Sequence, residues 1–330
     1  MIDKENGGKS DALNAGISVA NSELVACIDV DCVIEDEALL RMVKPYLEEG
    51  DKKVIAVGGV VRIANDCIIQ NGRLIEVKLS KKWLPTFQTL EYIRAFLLGR
   101  MAWGKLNGLL IISGAFGLFD RKIVLEVGGY DTSTVGEDME LVVRMRRWMV
   151  EKGRKYAVAY VPDPLCWTEA PESWSVFQNQ RNRWTRGTIE TLLLHKKILF
   201  RKKYGLMGML SYPFWMIYEW GAPIVEFIGL LYFVILATLG WINWQHFYIL
   251  LVLVYTFSVF ISWTALLMEE VTYREYAKGS ALLKLLLAAM LEPIFYHPIT
   301  VWAAVRGNFD KFVRRKNTWG KQERKGFKQA

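Results

Sequence analysis

The feature that most constrains this chain is the uneven placement of its apolar residues. Residues 205–304 are dominated by Leu, Ile, Val, Phe, Trp and Tyr, whereas residues 1–200 alternate short apolar runs with charged turns. A chain divided this way hides its surfaces best as a globular α/β region followed by membrane helices. The hydrophobic fraction of 52% and the mean hydropathy of +0.15 come from that second region. Within it, Pro223–Gly240 and Phe247–Met268 reach, or nearly reach, the length that crosses about 30 Å of hydrocarbon. The intervening Trp241–His246 holds Trp241 and Trp244 but no Lys or Arg, which predicts an outward-facing loop. Leu206–Gly221, with Pro213 and Glu219, and Leu282–Val305, with Glu292, Pro293 and Pro298, read as short spans or interfacial helices.

A net charge of +8 raises the question of nucleic acid, but the location of the charge answers it. Lys and Arg cluster between His195 and Lys203 and from Arg306 to Lys328, on the flanks of the apolar region. There they mark the cytoplasmic side and can touch anionic membrane lipid, so no nucleic-acid partner is expected. Both flanks favour the cytoplasm, which calls for an even number of crossings, two or four. The expected location is the cell (inner) membrane, multi-pass, with the globular region and the tail cytoplasmic. Residues 1–8 are polar and lack a signal-peptide pattern, so insertion is expected to depend on the later segments. Cys27, Cys32, Cys67 and Cys166 lack metal-ligand spacing and read as reduced core thiols, and the scattered His195, His246 and His297 support no triad.

Along the first region, Lys9–Asn21 reads as a helix and Leu24–Ile28 as a buried strand. A helix over Glu37–Glu48 and a strand at Val54–Val61 continue a β-α alternation that predicts an open, mostly parallel sheet. Trp83–Leu106 is long, aromatic and amphipathic. Ile111–Phe119 reads as a strand broken by small residues. Val135-Gly-Glu-Asp138 opens a helix to about Met149, with acidic residues at its positive end. A strand near Ala157–Val161 precedes a Pro162/Pro164 turn, and Ser173–Leu194 reads as an Arg-rich helix.

Three groups carry chemistry. Asp29-Val30-Asp31 follows a buried strand, at the edge where open α/β sheets bind ligands. In an extended chain both carboxylates point the same way, so one can hold Mg²⁺ or Mn²⁺ while the other contacts the metal or a ribose. Glu137-Asp138 is either favourable helix capping or a source of a general base for an attacking hydroxyl. On a helix, Gln180, Arg183 and Trp184 share a face. A guanidinium there suits a diphosphate and an indole suits a sugar ring.

Lys9-Ser-Asp-Ala-Leu-Asn-Ala-Gly16, Asp29-Val-Asp31, Ser113-Gly-Ala115, Gly136-Glu-Asp138 and Gln180-x-x-Arg183-Trp184 occur in one order. That ordered set, over nearly the whole chain, resembles the family 2 processive β-glycosyltransferases, which include cellulose, chitin, hyaluronan and poly-N-acetylglucosamine synthases. Phe87–Arg100 is similar to the poly-N-acetylglucosamine-synthase-like branch. The resemblance implies a GT-A-type nucleotide-sugar-binding sheet followed by an α-helical transmembrane region. It also implies a UDP-sugar donor, a divalent metal, a growing glycan as acceptor and inversion at the anomeric carbon. By the same resemblance Asp138 is the catalytic base and Asp31 the metal ligand. Lys9, Asp11, Asp29, Gln180 and Arg183 would bind the donor, and Ser113, Gly114, Ala115 and Trp184 the acceptor.

The family's opening β-α-β half, with its uracil-contacting Asp, has no counterpart before Lys9. The sheet is therefore expected to be partial, with an unpaired edge, and the chain to be a fragment or one half of a split synthase with an N-terminal half or accessory subunit elsewhere. The expected organisation is a partial catalytic domain at 1–170, an interfacial helix at 171–204, membrane and interfacial helices at 205–305 and a basic tail at 306–330. The rival expectations are a non-catalytic fragment and a non-processive enzyme acting on a lipid carrier.

Overall fold

The computed structural model describes residues 2–48, 50–276 and 279–315; of the basic tail, 316–330 lie outside the described residues. Among the described residues, the first region is built on a five-stranded sheet of order β1-β6-β3-β7-β2. Its strands are β1 (Leu24–Ile28), β2 (Cys32–Ile34), β3 (Lys53–Ile63), β6 (Phe116–Asp120) and β7 (Tyr156–Thr168), with a separate hairpin of β4 (Ile68–Gln70) and β5 (Arg73–Glu76). Helices α1 (Lys9–Val19), α2 (Ala38–Leu47), α3 (Trp83–Ile93), α4 (Met101–Lys105), α5 (Arg121–Glu126), α6 (Glu137–Glu151) and α7 (Trp174–Leu194) surround it. Arg94–Arg100 joins α3 to α4 as a π-helical stretch.

The expectation of a mostly parallel sheet is corrected. Among the described residues only β3 and β7 pair in parallel, while β1–β6, β3–β6 and β2–β7 are antiparallel. Strands β1, β3 and β7 do run in one direction, as the β-α alternation implied. Strand β6, which comes from a distant part of the chain, enters between β1 and β3 in the opposite sense. Its register places Phe119 against both Val25 and Ala56. The expected turn at Pro162 and Pro164 is instead the middle of β7. There β7 lies against β3, and irregular register at Gly59 and Val60 accommodates prolines that cannot donate to the ladder. Strand β1 forms one edge of the sheet and β2 the other.

Two apolar clusters sit on either side of this sheet. Val57, Val61, Leu90, Phe116 and Cys166 belong to one, and Ile55, Ala56, Leu141, Val142 and Met145 to the other. Strand β3 thus serves both layers, Ile55 and Ala56 on one side and Val57 and Val61 on the other, with irregular register between Val54 and Ala56 interrupting strict alternation.

Beyond α7, among the described residues, three helices are long and apolar enough to cross a membrane: Met207–Thr238, Trp244–Thr272 and Gly279–Phe312. The first contains α8 (Tyr212–Phe214) and α9 (Ala222–Thr238), the second is α10 (Trp244–Thr272), and the third joins α11 (Gly279–Leu291) to α12 (His297–Phe312). The sequence favoured an even number. The third helix differs from the others because it touches the sheet-bearing region at both ends. Lys284 donates to the carbonyl of Ser80 at 2.7 Å, Asp310 accepts from Asn182 at 3.0 Å, and Lys311 pairs with Glu190 at 2.7 Å.

Buried ion pairs join these layers. Arg181 on α7 meets Glu91 on α3 at 2.6 and 2.9 Å and the Tyr296 hydroxyl at 3.3 Å. Arg94 grips Glu292 through two contacts of 2.6 Å. A charge held away from water demands a partner of this geometry, because an unpaired one costs several kcal/mol.

Candidate active site

Asp29-Val30-Asp31 is a tight turn between β1 and β2 rather than the extended segment expected. The Cys32 N–H donates to the Asp29 carbonyl at 3.1 Å and Val30 projects fully into solvent. The turn still delivers both carboxylates to one end of β1. The Asp29 N–H donates to the Ala115 carbonyl at 3.0 Å, which ties it to the Ser113-Gly114-Ala115 segment. That segment is a loop, and the expected strand starts only at Phe116, because the main chain here serves the site rather than the ladder.

Lys9, in the first turn of α1, is the hub. Its ammonium lies 2.6 Å from Asp29 and 3.4 Å from Glu137, and donates to the Gly114 carbonyl at 3.1 Å. The Gly114 N–H in turn donates to Asp138 Oδ2 at 3.1 Å, and the Met139 N–H to Asp138 Oδ1 at 2.8 Å. Burial pulls the Lys9 pKa down, but Asp29, Glu137 and Asp138 together leave it raised. The ammonium therefore stays charged at neutral pH.

Arg183 faces the same group from α7. Burial lowers its pKa, and the acidic groups opposing that effect are Glu137, Asp138 and Asp29. Gln180, one turn earlier, has a buried side-chain carbonyl with no hydrogen-bond partner among the described residues. Trp184 is 36% exposed and its ring lies under the Arg181 guanidinium at 4.2 Å. Asp31 is half-buried and adjoins Cys32. Asp11 is half-buried and paired with Lys4, and among the described residues no contact joins it to the cluster.

Sequence reasoning missed the contact that fixes the distance between two motifs. Gly136 and Gly187 pack backbone to backbone, and a Cβ on either would come within 2.6 Å of the other's Cα. This seats the first turn of α6, with Asp138, against α7, with Arg183. A glycine inside a helix costs about 1 kcal/mol relative to alanine, so Gly187 signalled a packing demand.

Glu137 was also undervalued. It is 2% exposed, and burial, reinforced by the charge of Asp138, lifts its pKa to about 7 against the pull of Lys9. The sign follows from linkage: a carboxyl raised in the folded state favours folding below its unfolded pKa, and that contribution is lost as pH rises through the folded value. Between about pH 4.5 and 7 the protein should therefore lose stability on the order of 3 kcal/mol from this group. Thermal unfolding of wild type and Glu137→Gln at pH 5 and pH 8 checks this. The expected result is a fall with pH in the wild type that the variant largely lacks.

Among the described residues, no group of three or more His, Cys, Asp or Glu side chains could hold a metal ion by itself. The donor set of the turn, Asp29 and Asp31, fits Mg²⁺ or Mn²⁺, which bind through one or two carboxylates with substrate phosphates completing the shell. The cation beside Asp29, the Lys9 ammonium, shows that this end of β1 accommodates positive charge.

The family model described as "Glycosyltransferase like family 2" matches residues 2–187. The poly-beta-1,6-N-acetyl-D-glucosamine synthase of Staphylococcus aureus (strain COL) is 33% identical over 192 residues, 58% of this chain and 41% of that protein. The synthase of the same name from Staphylococcus epidermidis strain RP62A is 32% identical over 194 residues, 58% of this chain and 42% of that one. The chain thus spans about two-fifths of the length of these relatives. Among solved structures, a mannosyltransferase from Pyrobaculum calidifontis in complex with GDP-Man and Mn2+ superposes with a TM-score of 0.50 at 15% identity, covering 96% of this chain and 70% of that one. That likeness identifies the mixed sheet as a GT-A fold. With more than half of its length matched by the family model, the chain belongs to glycosyltransferase family 2.

Proposed function

We propose that this chain is the catalytic core of a membrane-bound inverting synthase that transfers a sugar from a UDP-sugar to the end of a growing polysaccharide of the poly-N-acetylglucosamine kind. The observation that carries the reading is the convergence at Lys9, whose ammonium joins Asp29, Glu137 and the loop that holds Asp138. Motifs from five distant parts of the sequence, two of them supplying the cations Lys9 and Arg183, meet here. The names of the staphylococcal relatives support the polymer, and the mannosyltransferase complex supports a nucleotide-sugar with a divalent ion.

In this reading Asp138 accepts the proton of the acceptor hydroxyl as it attacks the anomeric carbon in line with the departing UDP. Arg183 and Lys9 stabilise the negative charge that gathers on the diphosphate, and fixed charges in a partly dry site do this at little cost in reorganisation. Mg²⁺ or Mn²⁺, held by Asp31 with Asp29 beside the nucleotide, would supply further neutralisation of the same phosphates. Asp29 orients the nucleotide end. Gln180 and Trp184 hold donor and acceptor on the α7 face, with Ser113, Gly114 and Ala115 bounding the acceptor side. Asp11, away from this cluster, would act only from its rim.

The two-ended docking of Gly279–Phe312 against the catalytic region supports a topology with two crossings, Met207–Thr238 and Trp244–Thr272. The third helix then lies along the cytoplasmic face, and both basic flanks stay in the cytoplasm, as the charge distribution asks. A second reading, in which another segment must complete the site, is favoured by the edge position of β1. Incubating the detergent-purified chain with a panel of UDP-sugars and Mn²⁺, and measuring UDP release and product length, tests the function. UDP release with UDP-N-acetylglucosamine and a long product is expected. Release with single-sugar products only would contradict the polymerase reading.

A further inference from the structure

We propose that the segment from His195 to Leu206 docks onto anionic phospholipid headgroups, and that this docking fixes the catalytic helix α6. Lys196, Lys197, Arg201, Lys202 and Lys203 are all exposed on this short turn, and among the described residues none has a carboxylate within ion-pair distance. Exposed apolar side chains are interleaved with them: Leu194, Phe200 and Leu206. Phe200 is 58% exposed although its backbone is held at φ 53°, a left-handed conformation unfavourable for a bulky residue. An aromatic ring held outward at such a cost, between cations and beside an apolar helix, matches the interfacial layer of a bilayer in both charge and polarity. The segment also leads directly into the Met207–Thr238 helix.

The turn is hydrogen-bonded to the helix that follows it, and its underside is buried. The Phe200 N–H donates to the Gly208 carbonyl at 3.0 Å, and a Cβ on Gly208 would lie 2.5 Å from the Arg201 carbonyl oxygen. Beneath, Ile198 and Met207 share an apolar cluster with Met139 and Val143 of α6. Met139 directly follows Asp138. A polar relay runs parallel to this packing. Arg147 donates to His195 Nδ1 at 2.9 Å, which leaves the other ring nitrogen to donate to Glu140 at 3.1 Å, and Glu140 in turn holds Arg144. Farther along α6, Glu151 accepts from the Tyr204 hydroxyl at 3.3 Å. A force that seats the turn on the membrane therefore acts on α6 at several points, beginning beside the base.

Each basic side chain near an anionic leaflet adds roughly fivefold to surface affinity, an effect screened by salt. Hydrogen exchange on the full chain in nanodiscs tests the proposal, and it needs no sugar transfer, so its outcome is separate from that of the functional assignment. Discs of phosphatidylcholine are compared with discs that also contain phosphatidylglycerol. Anionic lipid should slow exchange at residues 196–206 and also at 137–143, by about fivefold or more. The combined variant Lys196→Gln, Lys197→Gln, Lys202→Gln and Lys203→Gln should lose both effects at an unchanged melting temperature. Equal exchange in the two lipids would overturn the proposal. Protection by inorganic phosphate in phosphatidylcholine discs would replace the membrane with a soluble anion and overturn it as well. Protection of the turn without α6 would remove the coupling.

Discussion

Replacing Asp138 with asparagine is expected to lower sugar transfer by about 10²–10⁴-fold, the usual contribution of a positioned general base. The side chains are nearly isosteric, so α6 should keep its place. What changes is the chemistry at the oxygen that Gly114 now holds at 3.1 Å and at the one that accepts from Met139 at 2.8 Å. An amide cannot take up a proton there, and its NH₂ would confront one of these two N–H donors. Nucleotide binding should survive, because Lys9, Asp29 and Arg183 are untouched. Measuring UDP release beside UDP affinity separates the two effects. Unchanged turnover would remove Asp138 from the role of base and direct attention to its buried neighbour Glu137.

Gly187→Ala is expected to be nearly as damaging although it alters no functional group. The added methyl would stand 2.6 Å from the Gly136 Cα and 2.9 Å from its nitrogen, and backbone on both sides leaves nothing cheap to move. The contact must open by the order of an ångström, which carries Asp138 away from Arg183. A displacement of that size can cost about 10²-fold in rate, and overpacking adds roughly 1–3 kcal/mol of destabilisation. Gly16→Ala is the control, since nothing lies within 4 Å of a Cβ there and the residue sits inside α1. It should leave transfer unchanged and raise the melting temperature slightly. Equal effects from the two substitutions would show that the Gly136–Gly187 contact does not set the site.

Much of this architecture was legible before any coordinates. The strand that ends at Asp29, the acidic opening of α6 and the Arg-rich α7 each carry a local signature: a short apolar run, a charge pattern or a helical period. Local signatures gave the direction of β1, β3 and β7 but not the insertion of β6, which depends on a pairing across more than ninety residues, Leu24 to Asp120. The same limit applies within α7. Arg181, Arg183 and Arg186 look alike in sequence, yet Arg181 is locked to Glu91 and only Arg183 faces the carboxylates. Which arginine turns inward depends on α3, whose distance from α7 no periodicity measures. Asp11 shows the converse, because proximity to Lys9 in sequence did not bring it to the same face of α1. Likewise, the Asp29–Asp31 spacing foretold a shared location but not the turn that produces it.

The central claim is that these residues form a nucleotide-sugar site, and calorimetric titration of the purified chain with UDP tests it most directly. With Mn²⁺ present, wild type should bind UDP, and binding should collapse when the metal is withheld or when Asp31 is replaced by alanine. A well-folded sample that binds no UDP, or binds it equally with and without the metal and Asp31, would contradict the account.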